Sequence, residues 1–172
     1  MNFKEKLKHI CRKAVNGILA FTLCSGSGML PAAVHAEAKT VNAYADSSET
    51  MNVYVNVNAR DHTGTFYQNY YGIEGVITDT YTGKRMFCVE PGPLMSEGVH
   101  TSIGTLQSYF GKEKGDKIQL ISYYGTLSGS KTDYFAAQSL IWEVAYSTEV
   151  QQRGSNGAAI NASKQVIMSK VN

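Results

Sequence analysis

The chain has 172 residues, of which 16 are basic and 14 are acidic, and 43% of all residues are hydrophobic. This length is enough for one domain with its own hydrophobic core. The balanced charge excludes the broad basic surface that is typical of nucleic-acid-binding proteins.

The first 36 residues have the pattern of a secretory signal peptide. Five basic residues lie within positions 1–13, a short apolar run follows as far as Leu23, and small residues lead to Ala36. The apolar run is too short for a permanent membrane helix, and no second apolar run follows it. We therefore expect a secreted protein without a stable membrane span, cleaved after Ala36 or, alternatively, after Ala38.

Cleavage would change both the charge and the cysteine content. The leader contains five basic residues and one acidic residue, so the mature chain keeps 11 basic and 13 acidic residues and has a net charge of −2. Neither nucleic acid nor an anionic membrane surface is then an expected partner. Cys11 and Cys24 leave with the leader, so Cys88 remains alone. A lipid-attachment role for Cys24 is the weaker alternative, because the bulky Leu23 precedes it.

A secreted chain with one cysteine cannot form an internal disulfide. Cys88 could bridge two chains, act as a nucleophile, remain a buried inert thiol, or join another covalent bond. The mature chain offers only His62 and His100 as further soft ligands, and their spacing does not suit a metal site. No metal and no cofactor is therefore predicted.

Strand signals fill the first half of the mature chain. Residues 37–50 are small and polar and predict a flexible N-terminal segment. The run from Met51 to Val57 alternates apolar and polar residues, which indicates a strand with one buried face. Further strands are predicted at 65–71, 75–81 and 85–90, with turns at 61–64 and 82–84. Pro91 and Pro93 end the last of these strands.

Helix signals fill the second half, after a mixed connection at 94–115 with a short helix near 103–110. Helices are predicted at 116–124, ended by Gly125, at 132–146, opened by the capping-box spacing from Ser130 to Asp133, and at 158–170. Strands followed by helices predict an α+β fold, with an antiparallel sheet or sandwich packed against helices. The expected organisation is a leader at 1–36, the flexible segment at 37–50 and one domain at 51–172.

Gln138 is out of place on its helix. It shares one face with Phe135, Trp142 and Ala145 at spacings of three and four residues. A buried carboxamide is costly unless its polar atoms find partners. Gln138 could be a structural residue bonded to backbone, a residue at the edge of the apolar stripe, or a functional group.

Three motifs together resemble the thioester domains of Gram-positive surface adhesins. They are FCVEPG at 87–92, YYG at 123–125 and AQSLIW at 137–142, and the resemblance covers about residues 50–170. It implies a thioester between the Cys88 sulfur and the Gln138 side-chain carbonyl, formed with loss of ammonia. A lysine amine of a host surface or matrix protein would then displace the thiol and form an amide. The domain is consumed in this transfer, so it is not an enzyme.

A thioester at this place would need supporting residues. Trp142, one turn along from Gln138, and Phe87, Tyr123 and Tyr124 are expected to shield it from water. Glu90, two residues after Cys88 on the same strand face, is a candidate for proton transfer, with Tyr123, Tyr124 and Glu143 as alternatives. Such adhesins are virulence factors carried on the cell wall, so a monomeric domain of a surface-displayed protein is expected, although the chain has no anchoring motif of its own.

Two other functions stay open. A cysteine hydrolase or transglutaminase-like enzyme would need a histidine beside Cys88, for which only His62 and His100 are candidates. A non-covalent binding module would keep Cys88 as an inert buried thiol.

Overall fold

The computed structural model describes residues 19–20, 40–60, 66–91, 97–101 and 104–172. An antiparallel sheet forms the N-terminal half and helices form the C-terminal half, which confirms the predicted α+β class. The strands are β1 (Leu19–Ala20), β2 (Thr40–Arg60), β3 (Phe66–Asp79), β4 (Arg85–Cys88), β5 (Gly98–Thr101) and β6 (Val150–Gln152). The helices are α1 (Leu106–Phe110), α2 (Lys112–Leu127), α3 (Lys131–Tyr146) and α4 (Gly157–Val171).

The sheet has the strand order β1-β4-β3-β2-β5, and β6 pairs with the far end of β2. The predicted leader is described only at Leu19–Ala20, which form β1 at the edge of the sheet, with Leu19 opposite Cys88. No helix in the described ranges is long and apolar enough to cross a membrane.

Strand β2 confirms one prediction and corrects another. Met51, Val53 and Val55 are fully buried, as the alternating pattern predicts. The expected flexible segment at 37–50 is, from Thr40 onward, the first half of this strand. Pairing with β5 and β3 orders this half, and its composition gave no sign of either partner.

Strand β3 joins the two strands predicted at 65–71 and 75–81 into one. Its register with β2 shifts between Asp46 and Met51, where the backbone of β2 bulges against Gly75. A Cβ at Gly75 would lie 2.5 Å from the Asp46 carbonyl oxygen, so the bulge requires glycine there.

A tight turn links β3 to β4 as predicted. The backbone N–H of Asp79 donates to the Lys84 carbonyl at 2.9 Å, and Gly83 takes a positive φ of 69°. Strand β4 ends at Cys88, two residues before the predicted end. The predicted turn at 61–64 and Pro93 lie outside the described residues.

Helix α2 corrects the predicted helix end at Gly125. The helix begins at Lys112 and continues through Gly125 to Leu127. A Cβ at Gly125 would lie 2.1 Å from the Cβ of Ala137 on α3. This glycine therefore permits close contact between two helices and does not terminate one.

Helix α3 is enclosed by the rest of the molecule. The Ser130 side chain accepts hydrogen bonds from the backbone N–H groups of Thr132 and Asp133, which confirms the predicted N-terminal cap. Every residue from Tyr134 to Trp142 is buried. The sheet lies on one side of α3 and helices α2 and α4 lie on others, so the apolar stripe of the sequence is part of a helix buried all round.

Candidate functional site

The candidate site lies where β4 separates from β3. The described pairing between these strands consists of Thr78 with Arg85 and Ile77 with Met86. Cys88, two residues further along β4, is the last residue of that strand. Side chains from α3 enter at this point.

The Tyr134 hydroxyl lies in the gap between β3 and β4, at the pair formed by Ile77 and Met86. This hydroxyl accepts a hydrogen bond from the Ile77 backbone N–H at 3.1 Å and donates to the Met86 carbonyl at 2.7 Å. Since Ile77 and Met86 are paired across the strands, the phenol bridges two groups that a regular ladder would join directly. Tyr134 has no exposed surface.

Gln138 lies one helical turn after Tyr134 and binds the backbone of Cys88. The Cys88 N–H donates to Gln138 Oε1 at 2.9 Å, and Gln138 Nε2 donates to the Cys88 carbonyl at 2.6 Å. By the two-residue alternation of antiparallel pairing, these backbone groups of Cys88 are on the side that faces β3. The carboxamide therefore takes the place of a peptide group from the neighbouring strand.

This arrangement holds the Gln138 carboxamide at the residue that carries the thiol. The Cys88 N–H polarises the side-chain carbonyl and would stabilise negative charge that develops on Oε1. The amide nitrogen, which would leave as ammonia, is fixed by the Cys88 carbonyl. Both reacting groups are thus ordered before any reaction, which removes much of the entropic cost of bringing them together.

The Cys88 thiol is partly buried between two apolar clusters and donates to the backbone carbonyl of Glu90 at 3.0 Å. Burial, and to a smaller extent the nearby carboxylates of Glu74 and Glu90, raise the pKa of the thiol to about 12 against the opposing effect of the bond to the Glu90 carbonyl. The sulfur is therefore protonated at neutral pH, unlike the activated cysteine of a hydrolase.

Glu90 is buried beside the thiol, with 4% of its surface exposed. Tyr109 on α1 donates a hydrogen bond from its hydroxyl to Glu90 Oε1 at 2.6 Å. A buried carboxyl group is costly without such a partner.

Two of the four expected shielding residues lie in the core around the pair. Phe87 is 3% exposed, and its ring stacks on that of Tyr134 with centroids 4.7 Å apart. Trp142 is 1% exposed and lies one turn beyond Gln138 on α3. Together with Tyr134, these rings belong to one buried core cluster, and Gln138 is itself buried.

The other two expected shielding residues lie on α2. The Tyr124 ring packs at the edge of the core, beneath the Lys170 ammonium group at 5.6 Å. Tyr123 is 37% exposed, and its described ring contact is with Tyr124 at 5.1 Å. A shielding role for these two tyrosines stays a prediction.

Sequence reasoning missed Tyr134 as a site residue. The available signal was its position four residues before Gln138, which puts both side chains on one side of α3. The hydroxyl in an apolar stretch was a second signal, because buried tyrosines usually find a hydrogen-bond partner. The gap between β3 and β4 that both side chains fill could not be read from the sequence.

His100 does not lie near Cys88. It is on β5, and the strand order puts β3 and β2 between β5 and β4. Three strand spacings amount to roughly 14 Å. His62 is outside the described residues. Within the described ranges, no three His, Cys, Asp or Glu side chains form a group suited to a metal ion.

Comparison of the chain with family models, with curated proteins and with solved structures found no match.

Proposed function

We propose that Cys88 and Gln138 form an internal thioester and that the domain uses it once to acylate a primary amine. In the first step the sulfur bonds to the Gln138 side-chain carbonyl carbon, and ammonia leaves with the thiol proton. In the second step an amine attacks that carbon, the bond to sulfur breaks, and the thiol returns as an amide forms. The amine is a lysine side chain of a host surface or matrix protein, and the domain is secreted for display at the cell surface.

The observation that carries the proposal is the pair of hydrogen bonds between the Gln138 carboxamide and the Cys88 backbone. They orient the carbonyl toward a donor and the leaving nitrogen toward an acceptor at the cysteine. The buried rings of Phe87, Tyr134 and Trp142 belong to the core cluster against which Cys88 packs, and such dry surroundings slow hydrolysis of an activated acyl group.

The raised thiol pKa bears on the lifetime of such a thioester. Thiols of high pKa are poor leaving groups, so a thioester to Cys88 would react slowly with water and with other thiols. After transfer the freed thiol would be protonated and could not attack the new amide. The high pKa and the distance to His100 both argue against a cysteine hydrolase.

A non-covalent binding module is the second candidate. A purely structural glutamine would make the same two hydrogen bonds, because a carboxamide can complete the edge of β4 without reacting. The two candidates differ in covalent chemistry, which makes them separable by experiment.

Incubation of the mature domain with methylamine tests the proposal. We expect one methylamine adduct on Gln138, located by peptide mass spectrometry, and one new thiol that titrates with a disulfide reagent after unfolding. Cys88→Ala should abolish both. Gln152→Ala is a matched control, since Gln152 also makes a partly buried side-chain bond, to Ser139 at 2.7 Å, but lies away from Cys88. An unmodified wild-type protein with a titratable thiol before treatment would refute the proposal.

A further inference from the structure

We propose that Glu90 carries the proton that moves between sulfur and nitrogen in the reactions of the Cys88–Gln138 pair, and that Tyr109 is the positioning residue that fixes the Glu90 carboxyl group. This inference rests on the proposed thioester and assigns its proton transfers to one side chain.

The placement of Glu90 is the first support. Its backbone carbonyl accepts a hydrogen bond from the Cys88 thiol at 3.0 Å. Its carboxyl group accepts a hydrogen bond from the Tyr109 hydroxyl at 2.6 Å. Residue 90 thus contacts the reacting sulfur while its own side chain stays buried. A buried carboxyl group is expensive and needs a partner or a function.

The rigidity of α1 is the second support. Thr105 and Ser108 cap the start of this helix with reciprocal hydrogen bonds. Gly115 of α2 lies so close that an added Cβ would be 2.7 Å from the Gln107 backbone, and Gln107 Nε2 donates to Asp116 at 3.0 Å. The short helix is therefore fixed on α2, and Tyr109 has a defined position from which to hold Glu90.

Both reactions require a proton carrier. In thioester formation the Glu90 carboxylate takes the thiol proton, sulfur attacks the Gln138 carbonyl carbon, and the proton passes to Nε2 as ammonia leaves. In amine transfer the carboxylate takes a proton from the attacking amine and returns it to sulfur as the carbon–sulfur bond breaks. Glu90 ends each reaction in its starting state, and a positioned acid–base group of this kind contributes about 100-fold or more to a rate.

Glu74 gives the inference a matched control. Among the described residues, the ionisable groups that act on Cys88 or lie next to those that do are Glu74 on β3, Tyr134 on α3 and Glu90 with Tyr109 of α1. Both carboxylates raise the thiol pKa, so the loss of either charge alone would favour the reactive thiolate. A role in proton transfer predicts the opposite for Glu90, namely that its loss slows the reaction.

The experiment measures re-formation of the thioester. Treatment with ammonia first converts the thioester back into the Gln138 amide and the free Cys88 thiol. The ammonia is then removed rapidly, and the intact mass of the domain is followed over time as the thioester re-forms with loss of one ammonia. We expect Glu90→Gln, which keeps an acceptor for Tyr109, to re-form at least about 100-fold more slowly than wild type. Glu74→Gln should re-form as fast as wild type or faster.

The pH dependence separates proton transfer from a structural effect. The wild-type rate should depend on pH, and the rate of Glu90→Gln should lack that dependence. Tyr109→Phe should be slower than wild type but retain the pH response, because the carboxyl group is present and less well fixed.

Re-formation by Glu90→Gln at the wild-type rate would overturn the inference. If Glu90→Gln does not fold, a wild-type rate for Tyr109→Phe overturns it. A wild type that never loses ammonia refutes the thioester itself.

Discussion

Tyr134 makes two buried hydrogen bonds with one hydroxyl group. It bridges the Ile77 N–H and the Met86 carbonyl, and its ring stacks on Phe87. These contacts fix the distance between β3, β4 and α3 directly beside the position of Gln138. A single phenol oxygen therefore contributes both to stability and to the alignment of the proposed reacting groups.

We expect Tyr134→Phe to lower the free energy of unfolding by roughly 1–3 kcal/mol, because it leaves the buried Ile77 N–H and Met86 carbonyl without this partner. Urea unfolding followed by circular dichroism measures the change. Tyr123→Phe is the control: Tyr123 is 37% exposed, and the loss of its hydroxyl should change stability by less than about 0.5 kcal/mol. Equal stability of Tyr134→Phe and wild type would contradict the bridging role.

Helix α3 organises the site at the next scale. Its residues at 134 and 138, one turn apart, bind the backbone of β3 and β4, and the residue at 142 is buried one turn further along. The position of this helix depends on its close contact with α2 at Gly125 and Ala137. The site is therefore sensitive to the packing of α3 against α2.

Gly125→Ala should destabilise the fold by about 1–3 kcal/mol, because the new methyl group would overlap the Ala137 side chain. Adding Ala137→Gly removes the overlapping atom and should recover part of the loss despite the lower helix propensity of glycine. Thermal and urea unfolding of the two single variants and the double variant measure this coupling. Ala136→Gly, at the preceding position of α3, should not rescue Gly125→Ala. A purely additive double variant would show that the two helices do not meet at this point.

At the scale of the whole molecule, the sequence predicts the fold class and the main helices because these depend on local signals. The period-two run at Met51 and the Ser130 cap are complete within a few residues, and both are confirmed. The first half of β2 and the short β6 were missed because their order comes from strand partners distant in the chain. The predicted helix end at Gly125 is wrong, because a glycine that stops a helix and a glycine that permits a close helix contact look alike in sequence.

The candidate site was predictable in part for the same reason. The paired motifs identify Cys88 and Gln138, and the structure brings these two residues into contact. Tyr134 and Tyr109 could not be assigned from the sequence, because their roles depend on the separation of β3 from β4 and on the packing of α1 against α2. Contacts between elements decide those roles, and local patterns do not encode them.

The central claim, an internal thioester between Cys88 and Gln138, is tested most directly by the intact mass of the purified mature domain under denaturing, acidic conditions. The account predicts a mass lower than that of the sequence by one ammonia, and predicts that Cys88→Ala and Gln138→Ala each have their full sequence mass. A wild-type domain with its full sequence mass and a free Cys88 thiol would contradict it.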